Sequence, residues 1–357
     1  MENKPVVRTT LQRKADRLMT HIAMDVHRKR STLAYVTPGM EEPKVVRCYT
    51  TPKDFAKVLG KLPGPWVVCV ESTRQSPAVV RWLREMGVAE LHLVNAQELH
   101  KFTKGKPKTD ARDAKEMLDL QLMGRLPECY LATQRVQEWR ALSRGRAFIR
   151  KTSTAARNAI RALLNQHGLD IAYRDLRGVA AQEQLAQLQE QLGSQAQMVL
   201  QQLMMMLSVT EESLKALDAE IEAQIAQHPV TQALTEIPGI GAVLAFGFLA
   251  EMGQIDRFED PAHLISYAGL APRANDSDEY HGPRHLPKRC NKRLRHLAIQ
   301  AAQCACRSRA ESKTRATYGR LVKRLKPNTA KIAAARTLLK DVFYHWNQAV
   351  TSTDMAA

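Results

Sequence analysis

No stretch of this 357-residue chain approaches the ~20 consecutive apolar residues that a membrane-spanning helix needs. The longest apolar run, 243–250, holds eight residues, so no membrane span is expected. Residues 1–20 are polar and basic and contain no apolar segment of the secretory kind, so a cytosolic protein without a secretory signal is expected. The six cysteines (Cys48, Cys69, Cys129, Cys290, Cys304 and Cys306) are scattered and form no C-x-x-C pair. They read as reduced thiols and not as a disulfide framework or a zinc site. Acidic residues are also in short supply. Lys and Arg number 53 against 36 Asp and Glu, a formal net charge of +17. A protein this basic usually meets a polyanion, nucleic acid first and an anionic membrane surface second. What remains is ordinary globular material: 44% hydrophobic and 25% charged residues exclude wholesale disorder. The length suggests about two domains.

The first third alternates strand and helix signals. Residues 21–27 (HIAMDVH), 31–37 and 44–50 are short β-rich runs, with Pro38-Gly39 between the last two, and they predict an antiparallel meander. A helix is expected at 51–62, a strand buried on both faces at 66–71 (WVVCVE), a helix at 77–86, a strand at 90–95 and a helix at 109–123. The order β-β-β-α-β-α-β-α predicts a mixed α/β sheet covered by helices, compatible with a ribonuclease-H-like domain. Between 185 and 225 the apolar residues Leu185, Leu188, Leu192, Val199, Leu203, Met206, Leu214, Leu217, Ile221 and Ile225 recur at helical steps. This heptad-like stripe suits either a long helix packed on its own domain or a coiled coil joining two protomers. The last third becomes strongly basic: residues 273–326 hold fifteen Lys and Arg against four Asp and Glu. Most of the chain's excess positive charge therefore sits in one segment, which favours nucleic-acid contact over a merely solvated face.

Four acids of the first third sit at informative places. Asp25 is mid-strand, where alternation on a half-buried strand turns a carboxylate toward solvent. Glu71 ends a buried run. Asp110 and Asp113 are three apart on a helix and face the same way, with Lys108-Thr109 before them and Thr109 a suitable N-cap. Two strand positions and one helix face can converge at one edge of such a sheet. Clustered carboxylates suit Mg²⁺, and two such ions roughly 3.5–4 Å apart serve phosphoryl transfer. In the second half, residues 237–242 (IPGIGA) precede a helical run. They read either as an ordinary glycine-rich turn or as a helix-hairpin-helix element, whose Gly239 and Gly241 let backbone N–H groups reach a phosphate. Ser277 lies in a polar loop flanked by Arg273, Arg284 and Lys288, where a serine could act as a nucleophile.

Taken together these residues resemble the DEDD transposases of the bridge-RNA-guided insertion sequences, the IS-one-ten family. The resemblance rests on A-M-D-V with Asp25, V-E-S-T with Glu71, and K-T-D-A-R-D-A with Asp110 and Asp113. It continues in I-P-G-I-G, Y-A-G-L-A-P-R, a serine-containing loop, and C-N-K-R-L-R, and it covers nearly the whole chain. The resemblance implies a RuvC-like catalytic domain over 1–130, a helical coiled-coil dimerisation region over 131–230, and a C-terminal transposase domain over 231–357. It implies that Asp25, Glu71, Asp110 and Asp113 bind Mg²⁺. It also implies that Ser277, with Ser266 as the alternative, attacks a DNA phosphate and holds the strand as a phosphoserine ester. Lys108, Gly239, Gly241, Arg273, Arg284, Lys288, Arg289, Asn291, Lys292, Arg293 and Arg295 are the expected nucleic-acid contacts. The implied partners are double-stranded donor and target DNA, a structured guide RNA and further copies of the chain, as dimer or tetramer. Base pairing would read sequence and the protein would read backbone and charge. Two other readings stay open: a junction-resolving endonuclease using only the acids and water, and a nucleic-acid-binding protein without catalysis.

Overall fold

The computed structural model describes residues 18–102, 109–272, 276–277, 280–281 and 285–354. The chain forms two compact units, the first ending at Gln134 and the second beginning at Arg135. In the first unit, β1 (Thr20–Val26), β2 (Arg30–Val36) and β3 (Lys44–Tyr49) pair antiparallel as the expected meander. Helix α1 (Pro52–Leu59) begins where the Thr51 hydroxyl accepts from the Asp54 N–H at 3.1 Å. Then follow β4 (Trp66–Glu71), α2 (Ser76–Glu85), β5 (Glu90–Val94), α3 (Ala96–Phe102) and α4 (Asp110–Leu122). Strand β4 runs parallel to β1, and β5 parallel to β4, giving one mixed sheet in the order β3-β2-β1-β4-β5.

This order makes β1 the central strand, and its two-residue period sorts its side chains into two cores. Ile22, Met24 and Val26 pack with Phe55 of α1 and Leu83 of α2 on one face. Ala23 packs with Cys69 and with Ala114, Met117 and Leu118 of α4 on the other. Both faces are therefore covered, and every residue of β1 is buried. The expectation that Asp25 turns toward solvent fails for this reason: its residue exposure is 3%.

The second unit is mainly helical. Two 33-residue helices, α5 (Gln134–Gln166) and α7 (Ser194–Ala226), flank the shorter α6 (Val179–Glu190) in sequence. Trp139 bonds Gln224, Arg146 pairs with Asp218, and Ser153 bonds Glu211, so α5 and α7 run antiparallel. The buried positions of α7 are Leu200, Leu207, Leu214 and Ile221, seven apart. Leu200 and Leu207 share a core with Ala156, Ile160 and Leu164 of α5. A seam of the heptad kind thus exists within the chain, one residue away from part of the expected stripe. Val199 and Met206, one step back around the helix, are exposed, as are Met198, Met205 and Val209.

Helices α8 (Pro229–Thr235) and α9 (Ala242–Met252) are joined by the IPGIG turn. Then come α10 (Pro261–Tyr267), a short hairpin of β6 (Asp276–Ser277) and β7 (Tyr280–His281), and helices α11 (Lys292–Arg307), α12 (Lys313–Val322) and α13 (Pro327–Asp354). Gly239 has φ +95°, and a Cβ there would stand 2.5 Å from both Ala301 O and Ala305 N of α11. A left-handed backbone and a helix backbone in the way are independent penalties. Gly239→Ala is therefore expected to cost about 2 kcal/mol or more, read as a lower urea midpoint at unchanged slope. A wild-type midpoint would show that the turn and α11 do not pack this way. No helix among the described residues is long and apolar enough to cross a membrane.

Candidate functional site

The acidic site is assembled by strand register. Met24 is opposite Val70 in the parallel ladder, so the next residues, Asp25 and Glu71, fall side by side at the ends of β1 and β4. They share the parity of Ala23 and Cys69, which face α4. Helix α4 begins at Thr109, whose hydroxyl accepts from the Arg112 N–H at 3.3 Å. That cap places Asp110 and Asp113 in the first turn, where the helix dipole favours negative charge. Asp25 lies within electrostatic reach of both and beside Glu71.

Burial is the largest influence on the Asp25 carboxyl and raises it above the usual range. The charge of His27 and a side-chain hydrogen bond with Glu71 oppose this, and the charges of Asp110 and Asp113 add to it. Its Oδ1 is buried and accepts no hydrogen bond, an arrangement that costs free energy unless a cation faces it. The imidazole of His27 closes the other side. Its Nε2 is 3.2 Å from Asp25 Oδ2 and 3.5 Å from Asp110 Oδ1. One ligand atom from each of Asp25, His27 and Asp110 lies within 4.8 Å of the other two. An orphaned buried carboxylate oxygen among hard oxygen donors and an imidazole suits a divalent cation. His27 is the member of this group that the sequence reading passed over. Its signal was present two residues after Asp25, but only the hairpin turn brings it back to the carboxylates.

The basic segment divides into two kinds of residue. Lys288, Arg289, Lys292 and Arg293 are exposed around the start of α11. Asn291 and Arg295 are engaged by the protein itself. Asn291 is the N-cap of α11, accepting from the N–H groups of Arg293 and Leu294, while its Nδ2 donates to Glu251 at 3.1 Å and to the Tyr267 hydroxyl at 3.3 Å. Arg295 Nε donates to Ala268 O at 3.2 Å, and its Nη2 donates to Pro287 O and to Cys290 Sγ. Gly239 is committed to packing on α11, whereas Gly241 caps α9 with open space around its Cα. Ser266 is an exposed residue of α10. The backbone of Ser277 lies in β6, opposite Tyr280. Its side chain, like all of Lys108, Arg273 and Arg284, lies outside the described residues. On the first unit, a groove of about 500 Å³ beside β3 and α1 is lined by Arg30, Arg47, Tyr49, Lys57 and Lys61, a second basic surface.

Glu251, near the end of α9, is the other buried acid among the described residues, 1% exposed. Arg144 of α5 grips it with two hydrogen bonds of 2.8 and 2.9 Å. Arg140 donates to the carbonyls of Ala250 and Glu251 at 2.9 and 3.3 Å, capping the C-terminus of α9. With the bond from Asn291, this network ties α5 and α9 to the start of the basic helix.

Two family models match the chain. One, a transposase model of the DEDD IS110 type, matches residues 22–169; the other, described as transposase IS116/IS110/IS902 family, matches residues 231–318. The 43.6 kDa protein of insertion element IS110 from Streptomyces coelicolor is 30% identical over 159 residues, 42% of this chain and 39% of that protein. A probable family 20 transposase from Pseudomonas aeruginosa is 25% identical over 276 residues, 76% of this chain and 81% of that protein. The transposase for insertion sequence element IS1111A from Coxiella burnetii is 27% identical over 221 residues, 60% of this chain and 59% of that protein. The matched stretch thus spans well under half of the Streptomyces coelicolor protein. The first model covers the whole acidic site, and the second covers the IPGIG turn, the β6–β7 hairpin and the basic helix. On these matches the chain belongs to the IS110 family of DEDD transposases.

Proposed function

We propose that this protein is an insertion-sequence transposase that cuts and exchanges DNA strands with a Mg²⁺-dependent acidic site and a serine nucleophile, guided by a structured RNA. The observation that carries the reading is the gathering of Glu71, Asp110 and Asp113 around a buried Asp25 whose Oδ1 accepts no hydrogen bond. Asp25, Glu71, Asp110 and Asp113 would hold the metal, one ion or two. A divalent cation there supplies charge stabilisation for a transferring phosphoryl group. Asp25 is held rigidly by the central strand, and Asp110 and Asp113 by a capped helix turn, so the donors keep their places through a reaction cycle.

In the covalent step, the Ser277 Oγ forms a bond to a DNA phosphorus and the P–O bond to the adjoining sugar breaks. The serine proton passes to a base, and the departing sugar oxygen takes a proton from solvent and leaves as a hydroxyl. The domain order proposed is a RuvC-like unit over 1–130, a helical region over 131–230 and a transposase domain over 231–357. The strand order β3-β2-β1-β4-β5 with helices on both faces supports the first of these. The exposed Met198, Met205, Met206 and Val209 on α7 support a coiled-coil contact between copies, because exposed apolar stripes on a long helix seek a partner. The open Gly241 at the start of α9 supports a helix-hairpin-helix contact with a phosphate backbone. Lys288, Arg289, Lys292 and Arg293 provide charge for DNA and guide RNA, and such activity belongs in the bacterial cytosol.

The test is a covalent adduct assay with the full chain, Mg²⁺, DNA from the element's ends and the RNA that copurifies with the protein. A protein–DNA adduct is expected from the wild type and its complete loss from Ser277→Ala. Adduct persisting in Ser277→Ala moves the nucleophile elsewhere, with Ser266→Ala as the next variant. Cleavage without any adduct favours a junction-resolving enzyme that uses the acids and water.

A further inference from the structure

The turn between β1 and β2 holds His27 in place by its backbone. Its N–H donates to Arg30 O at 3.2 Å, and its carbonyl accepts from the Thr50 hydroxyl at 2.8 Å. The side chain is 57% exposed and so is not held by packing, yet Nε2 lies between two carboxylates at 3.2 and 3.5 Å. Two adjacent ligands of an octahedral ion with bonds of ~2.1–2.2 Å stand about 3 Å apart, close to both separations. The carboxylate across from the imidazole keeps a second oxygen, Asp25 Oδ1, buried and without a hydrogen bond. A simple histidine–aspartate ion pair leaves that oxygen unexplained, whereas a cation shared by the three side chains accounts for it.

We propose that His27 is a protein ligand of the divalent cation in the acidic site, and that this nitrogen donor makes the site prefer Mn²⁺ to Mg²⁺. The proposal rests on the reading of the acidic cluster as a metal site and names a ligand beyond the four acids. Magnesium favours oxygen donors and gives up water reluctantly. First-row transition ions bind nitrogen more strongly, in rising order from Mn²⁺. An imidazole among carboxylates therefore shifts the balance toward Mn²⁺ while leaving enough oxygen donors for Mg²⁺ to enter.

The experiment is Mn²⁺ binding to the full chain, followed by loss of the free-ion EPR signal, with Mg²⁺ as competitor. Wild-type protein is expected to bind Mn²⁺ at least ~10-fold more tightly than Mg²⁺, and pulsed EPR of the bound ion should show nitrogen modulation. His27→Ala is expected to weaken Mn²⁺ about 10-fold, to change Mg²⁺ much less, and to erase the nitrogen modulation. If His27→Ala instead binds both ions as tightly as wild type, or more tightly, the imidazole is only a counter-charge and the inference is overturned. Asp25→Asn separates this from the underlying reading. Loss of Mn²⁺ binding there with no effect of His27→Ala sinks the histidine ligand alone. Unchanged Mn²⁺ binding in Asp25→Asn sinks the metal site and the ligand together. His27 is exposed and held by its backbone, so His27→Ala should stay folded at the assay temperature; a metal-free thermal melt checks this, and lost binding in a folded variant is not unfolding.

Discussion

Asp25→Asn is expected to abolish DNA strand cleavage while leaving the protein as stable as the wild type, or more so. The two halves of this result have one cause. The carboxylate sits on the central strand with 4% of its side chain exposed, one oxygen without a hydrogen bond, and three other acids around it. Burial raises its carboxyl above the usual range. A group raised in this way is worse off ionised in the folded chain than in the unfolded one, so once pH exceeds its ordinary value the charge costs stability. The amide has nearly the same shape and no charge, and removes that cost. It also removes the donor that faces the cation. Metal charge stabilisation is worth several kcal/mol in phosphoryl transfer, so cleavage should fall by about 10³-fold or more. The checks are a cleavage time course and a thermal melt with and without Mg²⁺. Added Mg²⁺ should raise the wild-type melting temperature by mass action and leave that of Asp25→Asn unmoved. A variant that melts well below the wild type would make Asp25 a structural residue. A variant that still cleaves would remove the acidic site from the chemistry.

Much of this site was legible in the chain, and the parts that were not share a reason. The strands near 20–26, 30–36, 44–49 and 66–71 announce themselves by local pattern, and Thr109 announces the start of α4 by its capping chemistry. That Asp25 is buried could not be read locally. It depends on β1 taking the centre of the sheet, which follows from its pairing with β2 on one side and β4 on the other. The neighbouring of Asp25 and Glu71 depends on parallel register across some forty residues of chain. His27 joins them only because the hairpin turns back on itself. The stripe on α7 shows the same limit on a finer scale. Seven-residue spacing is visible in the chain, but only packing against α5 selects Leu200 and Leu207 over Val199 and Met206. Asn291 and Arg295 read as nucleic-acid contacts because they lie in a basic run. Their neighbours Lys292 and Arg293 are exposed, while these two spend their hydrogen bonds on capping α11 and holding the loop before it.

The buried ion pair of the second unit gives the second large effect. Burial alone would raise Glu251, but the hydrogen bonds and charge of Arg144, the amide of Asn291 and the charge of Arg140 outweigh it and hold the carboxyl below its ordinary value of 4.5. Removing one partner from such a pair leaves an uncompensated buried charge, which typically costs ~3–5 kcal/mol. Arg144 is itself 42% exposed, so water can take over part of its role, and Arg144→Ala should sit at the lower end, about 3 kcal/mol. The sign of the pH dependence separates this from a packing defect. In the wild type, Glu251 contributes stability that is fully present above its ordinary pKa and is lost as pH falls through its lowered folded value. In Arg144→Ala the strongest of the opposing influences is gone, the folded carboxyl moves up from its wild-type position, and less stability is lost on protonation. The stability gap between the two proteins should therefore be widest at pH 7 and should narrow as the pH falls to about 4, measured by urea unfolding at each pH. The paired replacement Arg144→Met with Glu251→Leu removes both charges and should recover most of the loss. A gap that stays constant with pH would mean that Arg144 acts through its apolar stem and not through Glu251. Because Asn291 bonds the same carboxylate at the first turn of the basic helix, Arg144→Ala should also weaken nucleic-acid binding without touching a basic residue on that helix.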